Sequence, residues 1–314
     1  MKEFAWHFEP RLVIEALEEL LPVLPAGSRE GSPAGSENRA PELARLRLAM
    51  REAVLGGGKR MRSQLVLEAF AVVAQAQGRR ARAEEMVPAA CALELIHAYS
   101  LVHDDLPAMD NADTRRGQPS SHVRWGQATA ILVGDGLQTL AFEVLCALPL
   151  PAERVLTSVR LLAQAAGEAG MVGGQAIDID WSQENRQDVS GGALLAMHAL
   201  KTGALIRASG EIGAVLAGGS AAQVAALHDY GKHLGRAFQI QDDVLDVEGD
   251  PQVMGKKATD QANFKITAPG AFGLERAKSM AAESSCAAVE ALREFGGEAD
   301  TLRNLAAFVT SRKQ

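Results

Sequence analysis

Two acidic clusters most constrain what this chain can fold into: DDLPAMD at Asp104–Asp110 and DDVLD at Asp242–Asp246. Each closes a long Ala/Leu/Ile-rich stretch whose apolar residues recur at helical spacing. Carboxylates packed this closely repel one another, so a fold tolerates them only where cations or water offset their charge. Asp242 and Asp246, four apart, share one helix face with Asp243 beside them. This is a hard, oxygen-rich donor set, suited to magnesium ions that also bind phosphate. The first cluster differs, because the step from Asp104 to Asp110 carries about 120° round an unbroken helix. Pro107 drives Leu106 out of helical geometry, and a turn there brings Asp110 back toward Asp104.

Helical periodicity recurs along the chain, at Arg11–Leu24, Glu42–Leu55, Gln64–Ala76, Pro88–His103, Ala128–Leu148, Val155–Ala169, Gly191–Ala217, Ala221–Glu248 and Leu274–Phe295. Alternating β-branched strand patterns are essentially absent. With 47% hydrophobic residues but only 4% aromatic, the core predicted is helix on helix, rich in Ala and Leu. Uniform helicity over 314 residues argues for one all-α domain, residues 1–314. The Gly/Ser/Pro-rich stretch Pro25–Pro41 reads as a flexible loop between the first two helices.

A net charge of −7 without a basic block excludes a nucleic-acid partner. No uninterrupted apolar run reaches the ~18 residues of a membrane span, and the N-terminus lacks a signal-peptide core. Cys91, Cys146 and Cys286 form no CxxC pair and fit reduced, mostly buried thiols. The expectation is a soluble, cytoplasmic protein without stable membrane association.

Basic residues accompany both clusters. Gly56–Arg62, GGGKRMR, sets a glycine turn before a helix start bearing Lys59 and Arg62, a phosphate-binding arrangement that is weak alone. Arg115 and Arg116 follow the first cluster, Lys256 and Lys265 follow the second, and Lys201-Thr202 lies mid-helix. Taken singly, each is more readily a solvated surface cation than a functional one. His97, His103 and His122 lie near Asp104 but lack the spacings of a zinc site. His97 is better placed as a hydrogen-bond donor to diphosphate. GxSxG is absent and no cysteine stands near a base, so nucleophilic catalysis has little support.

In this order, GGGKRMR (Gly56–Arg62), HAYSLVHDDLPAMD (His97–Asp110), RRGQPSSH (Arg115–His122), GDGLQTLAF (Gly134–Phe142), GGQAIDI (Gly173–Ile179), KTGALIRAS (Lys201–Ser209) and FQIQDDVLDVEGD (Phe238–Asp250) resemble the trans-isoprenyl diphosphate synthases. The likeness is to the bacterial, farnesyl-producing type and runs from about Glu42 to Ala277. The resemblance implies a single large helical bundle around a deep central cavity, assembled as a homodimer, with the two motifs facing each other at its mouth. It implies that Asp104, Asp105, Asp110 and Asp242 hold magnesium ions on the allylic diphosphate, with Asp243 and Asp246 completing the second motif. Arg115, Lys201, Lys256 and Lys265 would contact that diphosphate. Lys59, Arg62, His97 and Arg116 would hold isopentenyl diphosphate. Thr202, Gln239 and the Lys201 carbonyl would face the allylic cation.

The resemblance also places Tyr99 and Ser100 at the pocket floor. Helix rise sets position 99 about 7.5 Å below Asp104, so a bulky Tyr99 would stop growth at farnesyl length. Geranyl and geranylgeranyl synthases share the fold and are the alternatives. A terpene cyclase or a non-catalytic subunit fits less well, since both acidic motifs and the basic residues are intact. The chain departs from the family at Asn111-Ala112-Asp113, where further aspartates are common, at Ser63 in place of proline, and at Phe264-Lys265-Ile266-Thr267.

Overall fold

The computed structural model describes residues 4–21, 43–183, 186, 188–248 and 266–312. The loop read at Pro25–Pro41, Lys256 and Lys265 lie outside these residues. The elements are α1 (Pro10–Leu20), α2 (Ala44–Leu55), α3 (Met61–Ala76), α4 (Val87–Asp104), α5 (Ser121–Trp125), α6 (Gln127–Cys146), α7 (Ala152–Ala166), α8 (Met171–Gln183), α9 (Gly191–His198), α10 (Ala204–Leu216), α11 (Ala221–Glu248), α12 (Ala268–Phe272), α13 (Leu274–Ala291) and α14 (Asp300–Ser311). The all-α class read from periodicity is the one observed. Among the described residues the β-structure is one ribbon, β1 (Thr114–Arg115) antiparallel to β2 (Gln118–Pro119).

Helix ends follow local chemistry. Pro10 opens α1, where its missing N–H costs no helical bond. Ser190 and Thr267 cap α9 and α12 by accepting from the N–H groups of Ala193 and Gly270. Gly126 and Gly273 take positive φ and separate α5 from α6 and α12 from α13.

Contacts divide the chain into two units, one of Glu9–Arg60 and Val87–Leu148, the other of Met1–Phe8, Met61–Met86 and Pro149–Gln314. One of the four chain boundaries between them falls inside GGGKRMR, between Arg60 and Met61, and uniform helicity carries no mark of it. In the first unit α4 packs on α6, with α1 and α2 against it. α4 buries Leu93, Leu95 and Ile96 together with Ala89, Ala90 and Ala92, so it is a core helix with no wet face over that span. Each buried leucine or isoleucine contributes about 1.5–3 kcal/mol. Arg60, at φ +50°, turns its guanidinium inward to Glu94 (3.0 Å) and the Val54 carbonyl (2.6 Å).

In the second unit α10 packs on α3, α7 and α11, and α13 packs on α11. α3 is buried almost all round, from Ser63 through Ala74. Tyr230 of α11 is fully buried, and its hydroxyl donates to the Leu302 carbonyl of α14 (2.8 Å). Ile240 and Val244 of α11 pack with Ala268, Ala277, Met280 and Ala281. That leaves Gln239, Asp242 and Asp246 on other faces of α11.

Candidate active site

The first acidic motif lies where α4 ends. After Asp104 the chain folds back through Pro107. The Asp110 N–H donates to the Asp104 carbonyl (2.9 Å), Asn111 to Leu106 (3.0 Å) and Ala112 to Asp105 (3.1 Å). Asn111 takes the left-handed conformation this turn requires (φ +49°), which asparagine tolerates better than most residues. Asp110 is thereby returned to Asp104, as Pro107 predicts, and both carboxylates are half-buried.

Asp105 has a different environment. It is 2% exposed and receives the Arg115 guanidinium through Nε (3.0 Å to Oδ1, 3.2 Å to Oδ2) and through Nη2. Burial pushes its carboxyl above the usual range, and the Arg115 hydrogen bonds and charge pull against that. Arg115 is fixed by the β1–β2 ribbon, whose two-residue turn, Arg116-Gly117, has positive φ at both positions (+54° and +77°). This is the geometry that keeps two twisted strands paired. The same turn sends Arg116 Nη1 to the Gly57 carbonyl. A Cβ on Gly58, itself at φ +129°, would meet the Arg116 guanidinium at 2.8 Å, so that approach requires glycine.

In GGGKRMR, then, Arg60 is a buried anchor, Lys59 is exposed and Arg62 is half-buried. Within this unit a cavity of about 340 Å³ has Leu48, Leu101 and Val102 in its walls and Asp105, Arg115 and Arg116 among its polar lining. On α4, Tyr99 is 5% exposed, lies edge-on to His103 with ring centres 5.9 Å apart, and leaves its buried hydroxyl without a hydrogen-bond partner among the described residues. Burial, and then the charge of Asp104, push its pKa up to about 12. Ser100 is half-buried and donates to the carbonyl of His97, also half-buried (2.9 Å).

The second motif is built in the other unit. The stretch read as one helix over Gly191–Ala217 is interrupted by a π-helical turn, Ala199–Gly203, between α9 and α10. Such a turn widens the helix locally and is frequent at functional sites. Here it carries Lys201 and Thr202. Lys201 Nζ pairs with Asp178 of α8, and a Cβ on Gly174 would meet the Lys201 backbone nitrogen at 2.2 Å. Gly174 therefore admits the turn, and one helical turn further on Asp178 reaches its lysine. Thr202 donates to Gln239 Oε1 (2.7 Å), and Gln239 Nε2 donates to Asp243 Oδ1 (3.1 Å). Asp243 Oδ2 accepts from the Ala268 N–H (2.7 Å).

Asp243 is 6% exposed, and burial raises its pKa to about 6 against those two donors. His198 Nε2 is 3.8 Å from Asp243, and burial holds the imidazole down at about 4. Asp242 is half-buried and accepts from Arg312 Nη2, while Asp246 is exposed. Asp178 lay within the quoted GGQAIDI motif without being singled out. Arg312 had no sequence signal.

Among the described residues no three His, Cys, Asp or Glu side chains converge as a cage for a metal ion. Asp104, Asp110, Asp242 and Asp246 are all at least partly exposed hard oxygen donors. Each motif by itself, Asp104 with Asp110 and Asp242 with Asp246, fits magnesium, which binds through one or two carboxylates and completes its shell with water and substrate phosphate. His103 is turned to the Ile131 carbonyl (3.1 Å) and His122 to Ser120 (3.1 Å).

A sequence profile of the polyprenyl synthetase family matches residues 44–300. Farnesyl diphosphate synthase of Geobacillus stearothermophilus is 40% identical over 275 residues, 86% of this chain and 89% of the relative. Geranylgeranyl pyrophosphate synthase 11, chloroplastic, of Arabidopsis thaliana is 40% identical over 270 residues, 84% of this chain and 74% of the relative. The crystal structure of an FPP/GFPP synthase from Zymomonas mobilis superposes with a TM-score of 0.79 at 35% identity, covering 96% of this chain and 95% of that one. This chain belongs to the polyprenyl synthetase family.

Proposed function

We propose that the chain condenses isopentenyl diphosphate with dimethylallyl and geranyl diphosphate to give farnesyl diphosphate. The observation that carries the reading is a division repeated in both motifs. The inner carboxylate (Asp105, Asp243) is buried and held by the scaffold, while the outer ones remain partly exposed. Asp104, Asp110, Asp242 and Asp246 would hold magnesium, with Asp105 and Asp243 setting the geometry of their motifs. When bound, the ions would offset the charge that grows on the departing diphosphate. Arg115 and Lys201, each already beside a carboxylate, supply further positive charge to the allylic diphosphate, together with Lys256 and Lys265. Lys59, Arg62, His97 and Arg116 bind isopentenyl diphosphate.

The Thr202–Gln239 pair and the Lys201 carbonyl present dipoles, not full charges, to the allylic cation. The allylic C–O bond breaks, the isopentenyl alkene forms the new C–C bond, and a proton leaves to the released diphosphate, so no protein base is needed. Tyr99 favours farnesyl over geranylgeranyl as product, because a buried ring about 7.5 Å below Asp104 closes the floor.

Cys91 is buried, whereas Cys146 and Cys286 are exposed rather than buried as expected; three free thiols suit a reducing, cytoplasmic setting. α6 is long and apolar enough to cross a membrane by length and composition, with Ile131 and Leu132 exposed at 46% and 55%. We assign that face to a homodimer interface rather than to lipid, because the exposed Asp135 and Glu143 break its apolar run.

The test is incubation with magnesium, isopentenyl diphosphate and either starter, followed by chain-length analysis. A dominant farnesyl product, abolished by chelator, is expected. Tyr99→Ala should shift the product to geranylgeranyl length or beyond, and an unchanged product distribution would remove Tyr99 from the floor. A longer wild-type product would favour the geranylgeranyl reading.

A further inference from the structure

We propose that Arg312, the residue after α14, is a positioning residue that orients the Asp242 carboxylate for metal binding. The inference rests on the reading of Asp242 as a magnesium ligand. Arg312 is held on several sides. Its Nε donates to the Val309 carbonyl (3.2 Å), and its Nη2 donates to the Phe238 carbonyl (3.3 Å) and to Asp242 Oδ1. The guanidinium carbon stands 4.2 Å from the centre of the Phe238 ring. Phe238 and Asp242 are four apart on α11, so one helix face offers the ring, the carbonyl and the carboxylate together.

Burial shows which partner is fixed. The Arg312 side chain is 2% exposed and that of Asp242 is 39% exposed. The cation belongs to the scaffold and the carboxylate faces outward. Desolvating a guanidinium this completely is costly unless it is paired, and a packing residue would be better served by an apolar side chain. Its Nη1 is also buried with no hydrogen-bond partner among the described residues, a further cost that packing alone does not explain.

The charge acts on the motif in two ways. It offsets the repulsion that Asp242 feels from Asp243 and Asp246. It also selects one carboxylate orientation before any metal arrives, as the outer partners of metal ligands generally do. The segment just after α14 is thus coupled to the second motif, while the first motif has its arginine on its inner aspartate.

Mn²⁺ with inorganic diphosphate serves as a non-reacting probe, read by paramagnetic resonance in Arg312→Met, Arg312→Lys, Asp242→Asn and the double variant Arg312→Met/Asp242→Asn. Arg312→Met is expected to weaken Mn²⁺ binding about tenfold, the lower end of the range for lost outer partners of metal ligands. Arg312→Lys should recover part of that loss, and Arg312→Met should add nothing once Asp242 is Asn. If Asp242→Asn weakens Mn²⁺ but Arg312→Met leaves it unchanged or tightens it, the positioning role is overturned and the metal reading stands. Equal weakening by Arg312→Met in both backgrounds also overturns it, since the arginine then acts elsewhere. If Asp242→Asn has no effect, both ideas are lost. Should Arg312→Met fail to fold, Arg312→Lys decides: intermediate weakening supports the proposal, and wild-type binding overturns it.

Discussion

The two acidic motifs begin with the same Asp-Asp pair and reach the same division of labour by different chemistry. Asp105 is held by a cation, the two-nitrogen contact of Arg115. Asp243 is held by neutral donors, the Gln239 amide and the Ala268 N–H. The arginine of the second motif is instead on the outer residue, Asp242. A buried carboxylate with a cationic partner is part of an ion pair that must be kept or removed whole, whereas one held by neutral donors bears its own desolvation and titrates higher. The lesson is that Asp-Asp in a sequence specifies the need for compensation and leaves its form to the surroundings.

The largest expected effect would separate outer from inner aspartates. Asp104→Asn or Asp246→Asn should lower turnover about 10³-fold, roughly 4 kcal/mol of transition-state stabilisation, with little change in melting temperature. Steady-state rates beside thermal melts would check it. A comparable loss of stability in both variants would place the outer carboxylates in the scaffold and break the comparison.

The inner aspartates should respond through stability. Asp105→Asn leaves Arg115 without its counter-charge and should cost about 2 kcal/mol. That is less than the ~3–5 kcal/mol of a wholly buried pair, because the Arg115 side chain is 39% exposed and can rehydrate. Asp243→Asn turns an amide N–H₂ toward an N–H donor, a loss of about 2 kcal/mol. It escapes the cost of ionising a carboxyl whose pKa is raised to about 6, so its net cost at about pH 7 should be smaller than that of Asp105→Asn. Urea denaturation would give both values, and a reversed order would mean that the neutral donors hold more firmly than the arginine.

Some of this could be read from the residues and some could not, for physical reasons. Pro107 implied the turn that returns Asp110 to Asp104, because proline acts on its immediate neighbour. The β1–β2 ribbon left no strand pattern, since two residues per strand cannot show an alternation. The π turn at Ala199–Gly203 was hidden because the Ala/Leu pattern runs on through it and the insertion shifts only the register. α8 was missed where glycines at its start read as punctuation. α14 was missed although Leu302, Leu305, Ala306 and Val309 carry a regular helical stripe. Tyr99 followed from the family pattern, and its burial from neither spacing nor composition. Arg312 is 70 residues from Asp242, and an arginine so distant in sequence gives no local sign of the carboxylate it meets.

The last test probes the neutral-donor mode away from either acidic motif. Glu68 of α3 is 2% exposed and is held, like Asp243, by N–H groups, those of His7 (2.8 Å) and Phe8. Burial raises its pKa from 4.5 to about 7 against those two hydrogen bonds. A carboxyl whose folded pKa is raised binds more protons folded than unfolded between those values. Wild-type stability therefore falls as pH rises through that window and is fully present only below it. Ionising Glu68 in place costs about 3 kcal/mol above pH 7. Glu68→Gln escapes that cost but turns an amide N–H₂ toward a backbone N–H, which loses about 2 kcal/mol. The variant should thus be about 2 kcal/mol less stable than wild type near pH 4 and about 1 kcal/mol more stable near pH 8, crossing in between. Urea unfolding across that range reads the sign change directly. A pH-independent difference would show that two backbone N–H groups keep a buried carboxylate ionised as well as an arginine does, and the contrast between Asp105 and Asp243 would lose its basis.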